Sequence, residues 1–600
     1  MAVLLIITIL HAIHYSFVAI IAQFAQNAFW ADHWTYTLDL VNNYLSVYPD
    51  KEEHLLWEAE PVPFYLSPAY VLSRKDRYSL VDNPKHPGTS TIRVYNPIVI
   101  AGQPGFSKEL GDELAAIAKS PDYVADIYGP AAQWVRDAAG QTVTVSIGAK
   151  LLMLGVIKFS TLDPYGAGVE YEGGKPGWND AMNGLPGILG SGMPETYEML
   201  QILKFMHSAQ SKYGKPIEVP TEFFTFLTAL DAALKEFASS SSSPQDEAAD
   251  WIYWDASNNA REAYRAETLV RFIGTKTSVS ADYLVPLLAA MISKVNAGIS
   301  KAVASNAGFS PTYFWYECTE YVILPVTSVT IPAQPDKVVC KKFAQNPLPL
   351  FLEGPIRHLK TIESMDERRD VYIRAKNSNM YDKPLQMFTL SESLATMGSD
   401  VGRMVAFSPG WLENQSVWLH MSYKLYLELL RGGLYDEFFT EIATGLVPFM
   451  DSEVYGRSPL EAASFIVSSA FPDKKMHGQG MLARLSGSTA EFLSMWAIMM
   501  GGDKPFSLNP TTGALQLTLS PIIPGWLFPE DGVVSFIFLG SIKVSYVNPS
   551  RADTWKTSAV SVLVVDKQGG THTTEGGVLG EEAALQVRSL AVDSITVTYA

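Results

Sequence analysis

Cysteine is nearly absent from this chain of 600 residues, and positive charge is in deficit. The two cysteines, Cys318 and Cys340, cannot build a disulfide framework or a paired-cysteine metal motif, and so few thiols fit a reducing compartment. The formal net charge is −17 at pH 7, so the chain lacks the basic surplus that neutralises nucleic-acid phosphates. We therefore predict no nucleic-acid partner and no metal site.

Charged residues are also missing from the first 31 positions. An apolar stretch of this length could span a bilayer. It could instead be a signal peptide, although no Lys or Arg forms an n-region and no small-residue cleavage site follows. A buried or mis-started segment is favoured, because His11, His14 and Gln23 are uncomfortable on a lipid-facing helix. We predict a cytoplasmic protein, with a membrane or secreted location as the alternative.

Apolar and aromatic residues are abundant, at 47% and 12% of the chain, with 13 Trp and 28 Tyr. Such a chain can fill a large core, and 600 residues suggest one large domain with a smaller one. Apolar residues recur at helical spacing through most of it. The predicted helices are 194–212, 221–237, 245–273, 280–304, 413–430, 434–447, 460–468 and 489–500. This pattern favours a ring of paired helices whose loops build a cleft.

The pattern changes near Phe506. Apolar and polar residues then alternate in short β-branched runs, which predicts antiparallel strands. These runs are 515–519, 533–538, 542–546, 560–565 and 595–599. We therefore divide the chain into an apolar segment at 1–28, a mainly helical domain at 29–505 and a small β-sandwich at 506–600.

A glycine-rich loop at 173–184 holds the strongest candidate for catalysis. It places Asp180 close to Trp178, and an acid against an aromatic face can be desolvated and hold a proton near neutral pH. A sugar can stack on the same indole, so the loop suits a general acid facing a glycosidic oxygen. The alternative is a surface turn in which Asp180 only caps the helix near Pro194.

Three other segments combine polar and aromatic side chains. Segment 29–40 places Asp32, His33 and Asp39 among aromatic rings, as in a sugar subsite, although its rings could equally face a core. Glu413 opens a predicted helix, and His420 lies two turns along the same face; a lone helical His is more often structural. The turn with Ser488 and Thr489 begins an apolar helix and predicts an anion site, or an ordinary helix cap.

Three groups of residues resemble, in their order and spacing, the inverting glycoside phosphorylases of the cellobiose phosphorylase type. They are Trp178-Asn179-Asp180, Glu413-Asn414 with His420, and 486–490. Longer strings look closer to the related β-1,3-glucan (laminaridextrin) phosphorylases, namely 32–36, 455–458, 465–470 and 483–493. The resemblance covers about 29–546. That family carries a β-sandwich before its catalytic domain, so the resemblance describes this chain as truncated at its N-terminus.

The resemblance implies an (α/α)6 barrel followed by a small jelly-roll-like β-sandwich. It implies reversible phosphorolysis of a β-glucan or oligosaccharide to α-glucose 1-phosphate with inversion. Phosphate is then a co-substrate and no cofactor is needed; a homodimer is a further implication. Asp180 matches the general acid. His420, Ser488 and Thr489 match the phosphate site, and the matched sugar contacts are Trp178, Asn179, Asp32, His33, Asp39 and Glu413.

Some positions depart from the family pattern. The place of an Arg-Asp pair reads Asp32-His33-Trp34, and an expected Glu-Asn-Ser-Ser-Phe reads Glu461-Ala462-Ala463-Ser464-Phe465. One alternative is therefore a non-catalytic remnant that binds glucan. Another is an inverting β-glucan hydrolase, which needs a carboxylate base about 6.5–9.5 Å from the acid. Glu170, Glu172 and Glu413 are the candidates for that base.

Overall fold

The computed structural model describes residues 33–83, 86–119, 134–241, 246–325, 335–483 and 486–600. The apolar segment 1–28 and Asp32 lie outside these ranges. The structure is 44% helical and 23% strand, with several small sheets along the chain. The predicted fold class is therefore wrong. The protein is mixed α/β, and not a mainly α barrel with a single C-terminal β-sandwich.

The longest helices lie where the sequence has helical periodicity. The helix Met193–Tyr213 has the usual start and end signals, because Pro194 occupies its first turn and Gly214, at φ 62°, closes its end in the left-handed conformation. It packs against Ile147–Phe159, Ala281–Ser305 and Glu353–Thr361. The other helices are Thr37–Leu45, Arg74–Arg77, Lys108–Ile117, Thr221–Ser240, Glu247–Glu267, Met365–Asn377, Leu419–Arg431, Tyr435–Gly445, Ser452–Tyr455, Ser486–Gly501 and Glu581–Arg588.

Short sheets interrupt the region that the sequence predicts to be helical. A four-stranded sheet has the order Val338–Pro347, Tyr313–Ile323, Ser191–Gly192 and Val169–Glu170. The helix predicted at 460–468 is instead the strand Ala463–Ile466, because its apolar run pairs between two other strands, Val417–Trp418 and Gly480–Ala483. Two-stranded pairs are Val62–Pro63 with Thr144–Val145, Ala69–Val71 with Ile98–Ile100, Tyr78–Asp82 with Ser90–Val94, Ile217–Pro220 with Lys276–Val279, and Tyr381–Asp382 with Met387–Phe388.

The C-terminal strands form two sheets over one apolar core. The larger sheet has the order Val533–Phe538, Ile542–Val547, Val592–Tyr599, Ala559–Asp566 and Thr571–Glu575. Its second and third strands are parallel, so the expectation of an all-antiparallel region is also wrong. The smaller sheet contains Phe506–Leu508, Leu515–Thr518 and Val578–Leu579. A parallel pair needs a long crossover, and the Glu581–Arg588 helix lies within it.

One helix in the described ranges, Ala281–Ser305, is long and apolar enough to cross a membrane. It is also a core helix, with 44% of its apolar window buried inside the protein. Its Lys294 is almost fully buried and forms an ion pair with the equally buried Asp250, at 2.9 Å between Nζ and Oδ1. Length and composition therefore do not make this helix a membrane span, because packing against the protein accounts for its apolar face.

Candidate functional site

The predicted loop, helix and turn come together around one cavity of about 350 Å³. Its walls come from the turns near Asp180 and Glu413, the strands at 463–464 and 482, and the start of the Ser486–Gly501 helix. The predicted site residues that line it are Trp178, Asn179, Asp180, Glu413, His420 and Ser488. Residues that are distant in sequence, and that were proposed on separate grounds, therefore share one cavity.

The loop with Asp180 is fixed by its own polar side chain and by a tight contact. The Asn179 carboxamide oxygen accepts the Ala181 N–H at 3.2 Å, which caps the short turn at Asp180–Met182. A Cβ on Gly184 would lie 2.2 Å from the Asp400 carbonyl oxygen, so only glycine allows this loop to approach 400–403. Asn179 is thus buried as a structural cap, and its contact with a sugar stays a prediction.

Asp180 is paired with an arginine that sequence reasoning missed. Nη2 of Arg403 lies 2.9 Å from Oδ2 of Asp180, and the two side chains are 48% and 42% exposed. The dry aromatic environment expected from Trp178 is therefore not what surrounds this carboxylate. The Arg403 backbone N–H donates to Asn183 at 2.9 Å, which anchors the partner to the same loop. No sequence motif links Arg403 to Asp180, so only the fold reveals the pair.

Glu413 is the second carboxyl group of the cavity, and its surroundings differ sharply from those of Asp180. It is only 8% exposed, and its Oε2 has no hydrogen-bond partner among the described residues. Burial raises the pKa of Glu413 above its ordinary value, and the nearby Asp180 carboxylate raises it further. Glu413 is therefore inclined to hold a proton, whereas Asp180 is solvated and ion-paired.

His420 lies in a chain of polar contacts. The indole Nε1 of Trp178 donates to His420 Nδ1 at 3.1 Å, so the imidazole proton resides on Nε2. Nε2 faces Oε1 of Glu491 at 3.5 Å, and Nζ of Lys424 lies 2.8 Å from the same oxygen. Burial lowers the pKa of His420. Burial opposes the ionisation of Glu491, but Lys424 and His420 hold its pKa well below the ordinary value.

The N-terminus of the Ser486–Gly501 helix closes the cavity beside His420. A Cβ on Gly487 would lie 2.3 Å from His420 Nδ1, so glycine is needed for the helix end to approach the ring. Ser488 is buried and lines the cavity, whereas Thr489 is exposed and does not. The first turn of a helix favours an anion, and Gly487 and Ser488 of this first turn line the cavity.

Aromatic rings and strained backbone complete the walls. Trp178 packs edge-on against Trp418 with ring centroids 6.0 Å apart, and Trp418 stacks on Phe465 at 5.9 Å. Such rings offer the flat apolar faces on which sugars stack. Leu412 and Leu482 both line the cavity with positive φ, at 50° and 55°. Left-handed backbone at a branched residue costs energy and concentrates at functional sites.

Other predicted site residues lie elsewhere. Asp39 does not line the cavity; its carboxylate pairs with Lys360 at 2.8 Å, and this ammonium lowers the pKa of Asp39 although burial opposes it. His33 begins a short turn at His33–Tyr36, and its side chain is outside the described part, as is Asp32. Glu170 and Glu172 line other cavities, so Glu413 is the one named candidate base beside Asp180. Within the described ranges no group of three His, Cys, Asp or Glu is arranged to hold a metal.

No protein-family model matches this sequence, and no curated protein matches it. The phosphorylase resemblance therefore stays a prediction.

Proposed function

We propose that this protein is an inverting glycoside phosphorylase that acts on a β-glucan or oligosaccharide and releases α-glucose 1-phosphate. The observation that carries the proposal is the shared cavity, which joins an acid, two indoles packed edge to face and a helix N-terminus next to an imidazole. The acid serves the departing sugar, the rings hold a sugar face, and the helix end suits phosphate. These are the parts that phosphorolysis requires.

The reaction is a single displacement. A phosphate oxygen forms a bond to the anomeric carbon while the glycosidic carbon–oxygen bond breaks, and the departing oxygen takes a proton from Asp180. Phosphate is already anionic, so no protein base is needed. Ser488, the first amides of the Ser486–Gly501 helix and His420 would hold the phosphate. His420 Nε2 must then turn its proton from Glu491 to the phosphate.

Arg403 gives the proposal a requirement of its own. A protonated carboxyl group does not form an ion pair, so Arg403 must release Asp180 before Asp180 can act as an acid. Phosphate competes for a guanidinium through strong paired hydrogen bonds. We therefore propose that phosphate draws Arg403 from Asp180, which couples arrival of the nucleophile to release of the acid.

An inverting β-glucan hydrolase is the second candidate, because Glu413 and Asp180 share the cavity. Two carboxyl groups in different environments are the arrangement that such hydrolysis needs, with the proton-holding group as acid and the ionised group as base. In that reaction Glu413 would be the acid and Asp180 the base. The non-catalytic glucan-binding alternative needs only the aromatic walls. A cytoplasmic location and a homodimer belong to the same phosphorylase proposal.

The test is product formation from β-glucan oligosaccharides with and without phosphate. The proposal expects glucose 1-phosphate only when phosphate is present. Free glucose at the same rate without phosphate would establish the hydrolase instead. Glucan binding without formation of either product would support the non-catalytic glucan-binding alternative. Asp366→Asn is a matched control for carboxylate substitutions, since Asp366 is 98% exposed and does not line the cavity.

A further inference from the structure

A second cavity, of about 140 Å³, begins a few residues before Trp178 in the same glycine-rich loop. Gly173 and Lys175 line it, and it shares no lining residue with the candidate site. Its apolar walls come from the strand pair Ala69–Val71 and Ile98–Ile100 and from Ile157. This cavity has no part in the phosphorolysis proposed above.

Positive charge is in surplus around this cavity, although the chain as a whole is acidic. Glu172 already has three cationic partners, because Arg77, Arg261 and Arg265 lie 3.2, 2.7 and 2.7 Å from its carboxylate oxygens. Glu170 accepts a hydrogen bond from the Trp254 indole at 2.6 Å. Burial, and then the neighbouring Glu172, raise the pKa of Glu170 to about 7. Three guanidinium groups therefore surround Glu172, whereas burial inclines Glu170 to hold a proton.

Lys158 adds a cation whose ammonium has no acceptor among the described residues. It lies at the end of the Ile147–Phe159 helix and lines the cavity. Its ammonium is 5.1 Å from the centre of the Trp34 ring, but it forms no hydrogen bond or ion pair within the described ranges. Lys158 is half-buried, and burial lowers the pKa of its ammonium to about 8 although the nearby Glu172 opposes this shift.

We propose that this cavity binds a small amphipathic carboxylate whose charge meets Lys158 and Arg265 and whose apolar body lies against Val71, Ile98 and Ile100. The volume sets the size, because a cavity of about 150 Å³ holds one benzene ring. The aliphatic side of the cavity disfavours a sugar, because hydroxyl groups placed there would lose their hydrogen bonds. A carboxylate supplies the missing partner of Lys158 and leaves its body in an apolar space of matching size.

The experiment is ¹⁹F NMR titration of the whole chain with 4-fluorobenzoate, and with 4-fluorobenzyl alcohol as a neutral probe of similar size. We expect saturable binding of the benzoate, and affinity for the alcohol that is lower by about tenfold or more, because the charge-assisted contact is lost. This comparison needs no variant. Equal affinity of the two probes would overturn the proposal, and so would no detectable binding of the benzoate.

Variants then locate the probe. Lys158→Gln should weaken benzoate binding by about tenfold or more and leave the alcohol unchanged. Lys235→Gln is the matched control, because Lys235 is 75% exposed and does not line the cavity. Displacement of the benzoate by a β-glucan oligosaccharide or by inorganic phosphate would place it in the candidate site and refute the proposal. Phenyl phosphate that binds tighter than benzoate would refute the choice of a carboxylate. None of these results depends on phosphorolysis.

Discussion

Replacing Asp180 by Asn separates its chemistry from its contribution to the fold. The amide keeps the side-chain shape and can still accept a hydrogen bond from Arg403, but it cannot protonate a departing sugar. General acid assistance is typically worth about 10²–10⁴ in rate, which corresponds to about 2.7–5.5 kcal/mol of barrier. We therefore expect phosphorolysis of a natural glucan to fall by about that factor.

Stability should respond far less than activity. The Asp180–Arg403 pair is nearly half exposed on both sides, and ion pairs of this kind contribute about 0–1 kcal/mol. The melting temperature of Asp180→Asn should therefore stay close to that of the parent. Sugar binding should also persist, because the Trp178 and Trp418 rings are unchanged.

The leaving group provides the decisive assay. The nitrophenolate of a nitrophenyl β-glucoside departs with little need for protonation. Asp180→Asn should therefore retain much more of the parent rate on this substrate than on a glucan. Asp366→Asn should match the parent on both substrates. Full activity of Asp180→Asn on the natural bond would refute the assignment. A loss confined to the natural bond in Glu413→Gln would assign the acid to Glu413.

Two further predictions test the packing and the charges. Gly487→Ala places a Cβ 2.3 Å from the His420 ring, so we expect lower thermal stability and strongly reduced activity. Gly501→Ala in the same helix is the control, because its nearest contact would be at 3.8 Å and it should change neither property much. Equal effects of the two variants would contradict this explanation. The pKa of Glu170 is raised from 4.5 to about 7, so the folded state binds more protons there than the unfolded state, and stability should fall as pH rises between these values. Glu170→Gln should flatten that part of the stability–pH curve in urea melts, and an unchanged slope would contradict the shift.

The sequence contained the cavity's local motifs but not their partners. Asp180, Glu413, His420 and Ser488 were each selected for local reasons, and the structure places all four around one cavity. No sequence pattern indicated that Arg403 belongs to the site, because its contact with Asp180 depends on two loops that meet only in the fold. Glu491 lies within an apolar helix, and the periodicity of that helix does not indicate that Glu491 faces the His420 imidazole.

The errors in fold class have a similar origin. A strand of two residues, such as Ser191–Gly192, carries no periodicity, and its pairing with Tyr313–Ile323 depends on chain that is distant in sequence. The short apolar run at Ala463–Ile466 fits a helix or a strand equally well, and its neighbouring strands decide the outcome. The parallel strand pair in the C-terminal region was equally hidden, since alternation does not reveal strand direction.

The two carboxyl groups in the cavity explain why geometry alone favours no single acid. Glu413 is buried and inclined to hold a proton before substrate arrives, whereas Asp180 is nearly half exposed and paired with Arg403. In the phosphorolysis that we propose, a phosphate dianion beside Arg403 would take the counter-charge away from Asp180 and repel its carboxylate. Both effects favour protonation of Asp180, and both vanish when water is the nucleophile. The product that Asp180→Asn fails to make therefore distinguishes the two mechanisms: loss of glucose 1-phosphate release with phosphate supports phosphorolysis, and loss of glucose release without phosphate supports hydrolysis.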